Sequence, residues 1–195
     1  MTFNSQALII FARKPEAGKV KTRLSATIGN EKALAIYIRL LEHTRHIVNE
    51  LSCEKYVFLT HEKHDDFWNG FNHELQLEHS LGDRMSHAFA LLFKKGHKHV
   101  IIIGTDCPDI TPEIVEEAFR QLSSNDIVIG PAEDGGYYLL GMNRYHATLF
   151  QDIQWSSEVV YNQTIEKIND NNLSYYNLPE LSDVDEEKDV PKDWL

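Results

Sequence analysis

Short apolar runs alternate with longer amphipathic stretches along nearly the whole chain. Ala7 to Ala12 (ALIIFA), Lys55 to Thr60 (KYVFLT), Val100 to Ile103 and Ile127 to Ile129 are continuous and brief, as expected of strands buried on both faces. Tyr137 to Leu140 and Leu173 to Leu178 read as further strands, and Leu75 to Glu78 as a short third strand in chain order. Between these runs the apolar spacing lengthens to that of a helix. Asn30 caps a helix to about Asn49, with Leu34, Tyr37, Ile38 and Leu41 on its inner face. Leu81-Gly-Asp-Arg-Met85 opens another, whose stripe of Met85, Ala88, Phe89, Leu92 and Phe93 ends at Gly96. Thr111-Pro112-Glu113 has the form of a helix start, with Thr as N-cap and Pro at the first helical position; Val115, Ala118, Phe119 and Leu122 then face inward. Trp155-Ser156-Ser157 begins a further helix with Tyr161, Thr164, Ile165 and Ile168 turned in, and a closing helix follows Asp183 and Asp185. Strands alternating with helices predict a layered α/β domain on a largely parallel sheet.

Composition narrows the function classes. At 195 residues, with no internal repeat and no low-complexity linker, the chain reads as a single domain over 1–195, large enough to bury a full core. A net charge of −11 argues against a nucleic-acid partner held by a general electrostatic field. Two cysteines, Cys53 and Cys107, make neither a disulfide framework nor a zinc set, which fits a reducing compartment. The first apolar run lacks a basic flank before it and is too short for a signal or a membrane span, so a cytoplasmic protein is expected.

Against that acidic background, residues 13–23 stand out. Arg13, Lys14, Lys19, Lys21 and Arg23 face one acid, Glu16, for a local charge of +4. The segment leaves the first strand at Ala12 and is shaped by Pro15 and Gly18, the place where open α/β sheets wrap an anionic ligand. Arg suits phosphate by its fork and Lys as a point charge. It is not a P-loop, because Gly18-Lys19 is followed by Val20, and with one glycine it is not the dinucleotide fingerprint. The central strand 100–103 delivers Asp106 and Asp109 at the same kind of edge, and Asp106 is the first candidate for chemistry. Arg84, in the first turn of its helix, opposes the macrodipole and is either a ligand contact or one half of a salt bridge. Asp134-Gly135-Gly136 is either a tight turn needing positive φ or, with Tyr137 and Tyr138, the floor of a sugar or base pocket. His61-Glu-Lys-His64-Asp-Asp66 misses the zincin spacing, since Asp65 stands where the second His would be. Glu180 to Asp189 carries six acids and one lysine, ordinarily a solvated run with an N-cap among its acids. Basic side chains beside carboxylates make sense with Mg²⁺ or Mn²⁺ and a phosphate chain between them.

Five ordered motifs carry a resemblance that spans about residues 8–189: Ile10-Phe-Ala-Arg-Lys-Pro15 with Gly18-Lys-Val-Lys-Thr-Arg-Leu24, Leu81-Gly-Asp-Arg-Met85, Gly104-Thr-Asp-Cys-Pro-Asp-Ile110, Gly130-Pro-Ala-Glu-Asp-Gly-Gly-Tyr-Tyr138 and Asp183-Val-Asp185. Together they resemble the GT-A-like transferases known as radical-SAM/selenodomain-associated, within the nucleotide-diphospho-sugar transferase superfamily. The resemblance implies a GT-A, Rossmann-like three-layer α/β/α sandwich with a mostly parallel mixed sheet. It implies a metal-dependent transferase using a nucleotide sugar or nucleoside triphosphate, glycosyltransferase-like, with nucleotidyl transfer or a non-catalytic nucleotide-binding module on the same fold as alternatives. Carried over, Ala12, Arg13, Lys14, Gly18, Lys21, Arg23 and Arg84 would bind the nucleotide and its phosphates. Asp106 and Asp185 would hold Mg²⁺ or Mn²⁺, and Asp106, Lys21 and Asp134 would carry catalysis. Glu133, Asp134, Gly135, Gly136 and Trp155 would meet the sugar or acceptor, with Glu133 or Asp134 placed as base. A monomer or homodimer is expected, with no nucleic-acid partner and no membrane span. Two departures are plain: Glu186-Glu187 replaces the usual Thr-Pro after Asp185, and Leu77-Glu-His-Ser80 lacks a Gln- and Gly-rich pattern.

Overall fold

The structure is a computed structural model and describes residues 5–60 and 66–194. Its strands are β1 (Gln6–Ala12), β2 (Glu54–Leu59), β3 (Asn72–Leu75), β4 (His99–Ile103), β5 (Ile127–Pro131), β6 (Tyr137–Met142) and β7 (Tyr175–Asn177). All seven join one sheet in the order β3-β2-β1-β4-β6-β5-β7. Only β6 runs against its neighbours; the other pairings are parallel. The turn from β5 to β6 is too short for a crossover, so that pair must be a hairpin.

Helices cover both faces: α1 (Thr22–Ile28), α2 (Asn30–Glu50), α3 (Leu81–Lys94), α4 (Pro112–Gln121) and α5 (Val160–Asp170). The period-two alternation of the strands sorts them. Leu8, Ile10, Val57, Ile101, Ile103 and Val128 meet α2 and α4, whereas Ala7, Ile9, Phe58, Val100, Ile102 and Ile129 meet α3 and α5. A third cluster of Leu24, Ala33, Ile36, Leu40, Val184 and Val190 binds α1 and the end of the chain to the outer side of α2. The result is the expected three-layer α/β/α sandwich. Among the described residues no helix is long and apolar enough to cross a membrane.

Several local expectations are corrected. The third strand is Asn72–Leu75, not Leu75 to Glu78, because parallel pairing of Tyr56–Leu59 selects residues 72–75. The second strand starts one residue early, at Glu54. Gly29, not Asn30, caps α2, and with φ 87° it closes α1 and opens α2 at one residue. The buried face of α2 is wider than an ordinary stripe, since the helix lies between the sheet and α1; Ile36 and Leu40 are buried while Ile38 is exposed. The last long helix begins at Val160 rather than Trp155, after a loop in which Asp152 and Ser156 have positive φ. The final strand is trimmed to Tyr175–Asn177, and the closing helix is two single 3₁₀ turns, at Glu187–Asp189 and Lys192–Trp194. Of the His- and acid-rich segment 61–66, residues 61–65 lie outside the described residues, and Asp66 opens a single 3₁₀ turn, Asp66–Trp68.

Candidate active site

Connections leave β1 toward β2 on one side, while β4 pairs with β1 on the other. The strand order therefore reverses at the carboxyl ends of β1 and β4, where a crevice opens in sheets of this kind. The basic segment enters it directly from Ala12. Tyr37, buried on α2, fixes the segment's start: the Arg13 N–H donates to its hydroxyl at 3.0 Å, and that hydroxyl donates to the Arg13 carbonyl at 3.2 Å. Burial raises the Tyr37 pKa, which keeps the donor in place.

Lys21 is the pivot. It takes the left-handed conformation (φ 47°, ψ 49°) just ahead of α1, uncommon for a residue with a side chain. That backbone turns the ammonium inward, where it lies 2.5 Å from Asp106 Oδ1 and donates to the Val184 carbonyl at 2.7 Å. Only 7% of the lysine side chain is exposed, against 47% of Asp106. The Val184 N–H donates in turn to the Asp106 carbonyl at 2.9 Å. With the Val184 side chain buried beneath α1 and α2, its two neighbours are held at the site. Asp185 pairs with Arg23 at 2.5 Å. Asp183 is pushed up to about 7 by burial first and then by the charges of Asp106 and Asp134, with Lys21 opposing and Asp185 adding. Four carboxylates and two cations, drawn from both ends of the sequence, thus share one small volume.

The structure places the remaining candidates as follows. Asp134 Oδ1 accepts from the Gly136 N–H at 2.8 Å within the turn after β5, and its charge reaches Asp183 and Arg23. Gly135 has φ 84°, and a side chain there would collide with the Glu158 backbone. Its carbonyl accepts from the Tyr161 N–H at 2.8 Å, and the Glu133 N–H donates to the Leu181 carbonyl at 3.1 Å. The segment forms a tight turn, and both tyrosines behind it take part in packing. Tyr138 donates to the Pro179 carbonyl and Tyr137 reaches Met85. Trp155 is half-buried, its indole packed against Gly82 at the start of α3. Lys14 is exposed near Glu16, and Gly18 faces Asn30. Among the described residues Arg84 makes no ion pair; it donates to Gln76 and feels the positive charge of Arg13.

Asp183, Tyr37 and Gln76 belong to this constellation although the sequence reading did not assign them to it. Asp183 left a trace, since Asp-Val-Asp brackets one apolar residue within an acidic run. Asp106, Asp183 and Asp185 offer hard oxygen donors, and their crowding is the excess of negative charge that a divalent cation relieves, so the donor chemistry fits Mg²⁺ or Mn²⁺. Among the described residues no three His, Cys, Asp or Glu side chains are already gathered as ligands. Lys21 and Arg23 instead occupy Asp106 and Asp185.

The family described as "Uncharacterized protein conserved in bacteria (DUF2064)" matches residues 43–157, more than half of the chain. The chain belongs to the DUF2064 family. A solved structure from Desulfovibrio desulfuricans G20, described as a "putative nucleotide-diphospho-sugar transferase", is 32% identical to this DUF2064 protein, with a TM-score of 0.89 over 94% of this chain and 84% of that one. The fold of the DUF2064 protein is accordingly that of the GT-A-like nucleotide-diphospho-sugar transferases. A nucleotidyl transferase from Methanothermobacter thermautotrophicus shares the fold at 14% identity (TM-score 0.63, 94% and 93% covered). So does a manganese complex of Rv0371C from Mycobacterium tuberculosis H37Rv at 13% (TM-score 0.58, 96% of both). No curated protein matches the DUF2064 chain.

Proposed function

We propose that this DUF2064 protein is a divalent-metal-dependent transferase that takes a nucleotide sugar and moves its glycosyl group to an acceptor hydroxyl. The observation that carries this reading is the Lys21–Asp106–Val184 knot, joined to Arg23–Asp185 at the carboxyl edge beside β1 and β4. Mg²⁺ or Mn²⁺ held by Asp106 and Asp185 would neutralise the diphosphate that leaves. Lys21 and Arg23, freed from those acids, then face the phosphate oxygens, and Arg13, Lys14 and Arg84 hold the rest of the nucleotide. The acceptor oxygen attacks the anomeric carbon, the bond to the diphosphate breaks, and the acceptor proton passes to Asp134 or Glu133. Asp134 is oriented for this by its bond from Gly136.

A second reading, nucleotidyl transfer from a nucleoside triphosphate, is favoured by one observation. Arg84, bonded to Gln76, feels the positive charge of Arg13, and no acid is paired to either among the described residues, which suits one phosphate more than a diphosphate carries. Both readings share a test. Thermal stabilisation by CTP, GTP, UDP-glucose and GDP-mannose is measured with Mn²⁺ and with EDTA, and turnover products are read by mass spectrometry. We expect stabilisation that needs metal, is lost in Asp106→Asn, and accompanies a fall in turnover of about 10²-fold or more. Binding that is indifferent to metal, with no product from any nucleotide, overturns the transferase and leaves a binding module.

A further inference from the structure

Gln76 follows β3 and is anchored more firmly than a residue so near an edge strand requires. Its backbone N–H donates to the Leu59 carbonyl at 2.9 Å, and its side-chain amide donates to the Phe58 carbonyl at 2.8 Å and toward that of Ala12 at 3.4 Å. Two carbonyl acceptors fix which end of the amide is the NH₂. The Gln76 Oε1 therefore has one orientation left, and it accepts from Arg84 Nη1 at 3.2 Å. The Arg84 Nε is buried without a partner, and burial together with the nearby charge of Arg13 lowers the Arg84 pKa. A guanidinium aimed by Gln76, with one buried N–H left over, within reach of the Arg13 charge and with no acid paired to either arginine among the described residues, is a place that an anion completes. Lys21 and Arg23 differ, because each already has a carboxylate partner.

We propose that Gln76 is the positioning residue of an anion clamp, in which it aims Arg84 and, with Arg13, binds a phosphoryl group without help from a metal. The clamp deepens the transferase reading, since it rests on that reading for the phosphoryl group being part of a nucleotide. It takes the phosphate end that the metal does not reach, and a neutral amide is what it needs: a carboxylate at position 76 would satisfy Arg84 internally and repel the ligand.

The probe is inorganic triphosphate in EDTA, followed by calorimetry on the full chain. The unaltered protein is expected to bind it, and Gln76→Glu to bind at least tenfold more weakly, while the thermal shift with Mn²⁺ stays unchanged. A merely structural loss would lower both together. Arg84→Met is expected to match Gln76→Glu and decides the matter if that variant does not fold; Arg120→Ala, an exposed cation on α4 paired with Glu117, is expected to change nothing. Unchanged triphosphate binding in both Gln76→Glu and Arg84→Met overturns the clamp, as does an equal loss in Arg120→Ala. Gln76-dependent triphosphate binding without any nucleotide turnover would keep the clamp and remove the transferase. Turnover in a protein whose triphosphate binding ignores Gln76 would do the reverse.

Discussion

Lys21 has two roles at the site, and they oppose each other once a cation arrives. Its ammonium balances Asp106 and satisfies the Val184 carbonyl, yet it also occupies the carboxylate that a divalent ion would need. Removing the side chain should therefore separate stability from metal affinity. Lys21→Asn is the informative change, because asparagine tolerates the left-handed backbone better than most residues and leaves that conformation in place. We expect a loss of about 2 kcal/mol in metal-free stability, from one half-buried ion pair and one hydrogen bond. Mn²⁺ affinity should rise about tenfold at the same time, while turnover falls about 10²-fold for want of the phosphate contact. Denaturant melts, titration of free Mn²⁺ by electron paramagnetic resonance and turnover measure the three. Metal affinity that falls alongside activity would show that Lys21 helps to build the metal site.

The elements explain how carboxylates more than seventy residues apart come to share a volume. Val184 is fully buried among Leu24 of α1 and Ile36 and Leu40 of α2, and its backbone is bonded to Asp106. Val184→Ala is expected to cost about 2 kcal/mol, by lost burial and a residual cavity, and so to lower Tm by about 4–8 °C. Because Val184 also carries Asp183 and Asp185, the same change should shrink stabilisation by Mn²⁺, although no charge has been altered. A thermal scan with and without metal checks both. This arrangement marks the limit of what the sequence discloses. Strands β1, β2 and β4 are legible because each is an apolar run buried on both faces, and Asp106 is legible because it follows one of them. The edge strand β3 is not, since Asn72-His-Glu-Leu75 is polar and only pairing with β2 defines it. Nor is α1, seven residues with a single buried side chain, Leu24. Asp183 reads as one more acid in a solvated run because its meaning lies in burial and in the charges of Asp106, Asp134 and Lys21, all distant in the chain. Gln76 leaves no trace at all: its role is made of three backbone carbonyls and one arginine, and no spacing encodes those.

Across the whole molecule the site lies at one edge of the sheet, and the stability of the opposite edge is separate from it. At that opposite edge Asp126, ahead of β5, accepts from Ser174 N at 3.0 Å and from its hydroxyl at 2.8 Å, tying β5 to β7. The backbone bond from Ser174 is the main reason its pKa lies below the ordinary 3.8. A depressed carboxylate adds stability that is present above its unfolded value and disappears as pH falls through the folded one. Asp126→Asn should accordingly cost about 1 kcal/mol, or about 2–4 °C in Tm, at pH 7, and the gap to the unaltered protein should close as the pH drops below 4. Ligand binding at the far edge obeys a different linkage. Mn²⁺ with a bound nucleotide at about a hundred times its Kd contributes about 2.7 kcal/mol, which corresponds to a rise of about 5–10 °C for a chain of this size. The two effects should add, since the residues share no partners and stand the height of the sheet apart. Asp126→Asn should thus start lower and gain the same increment, whereas Val184→Ala should start lower and gain less. Equal increments in both variants would mean that the ligand does not seat where the two ends of the chain meet, and the reading of Asp106 and Asp185 as its anchor would fall with that result.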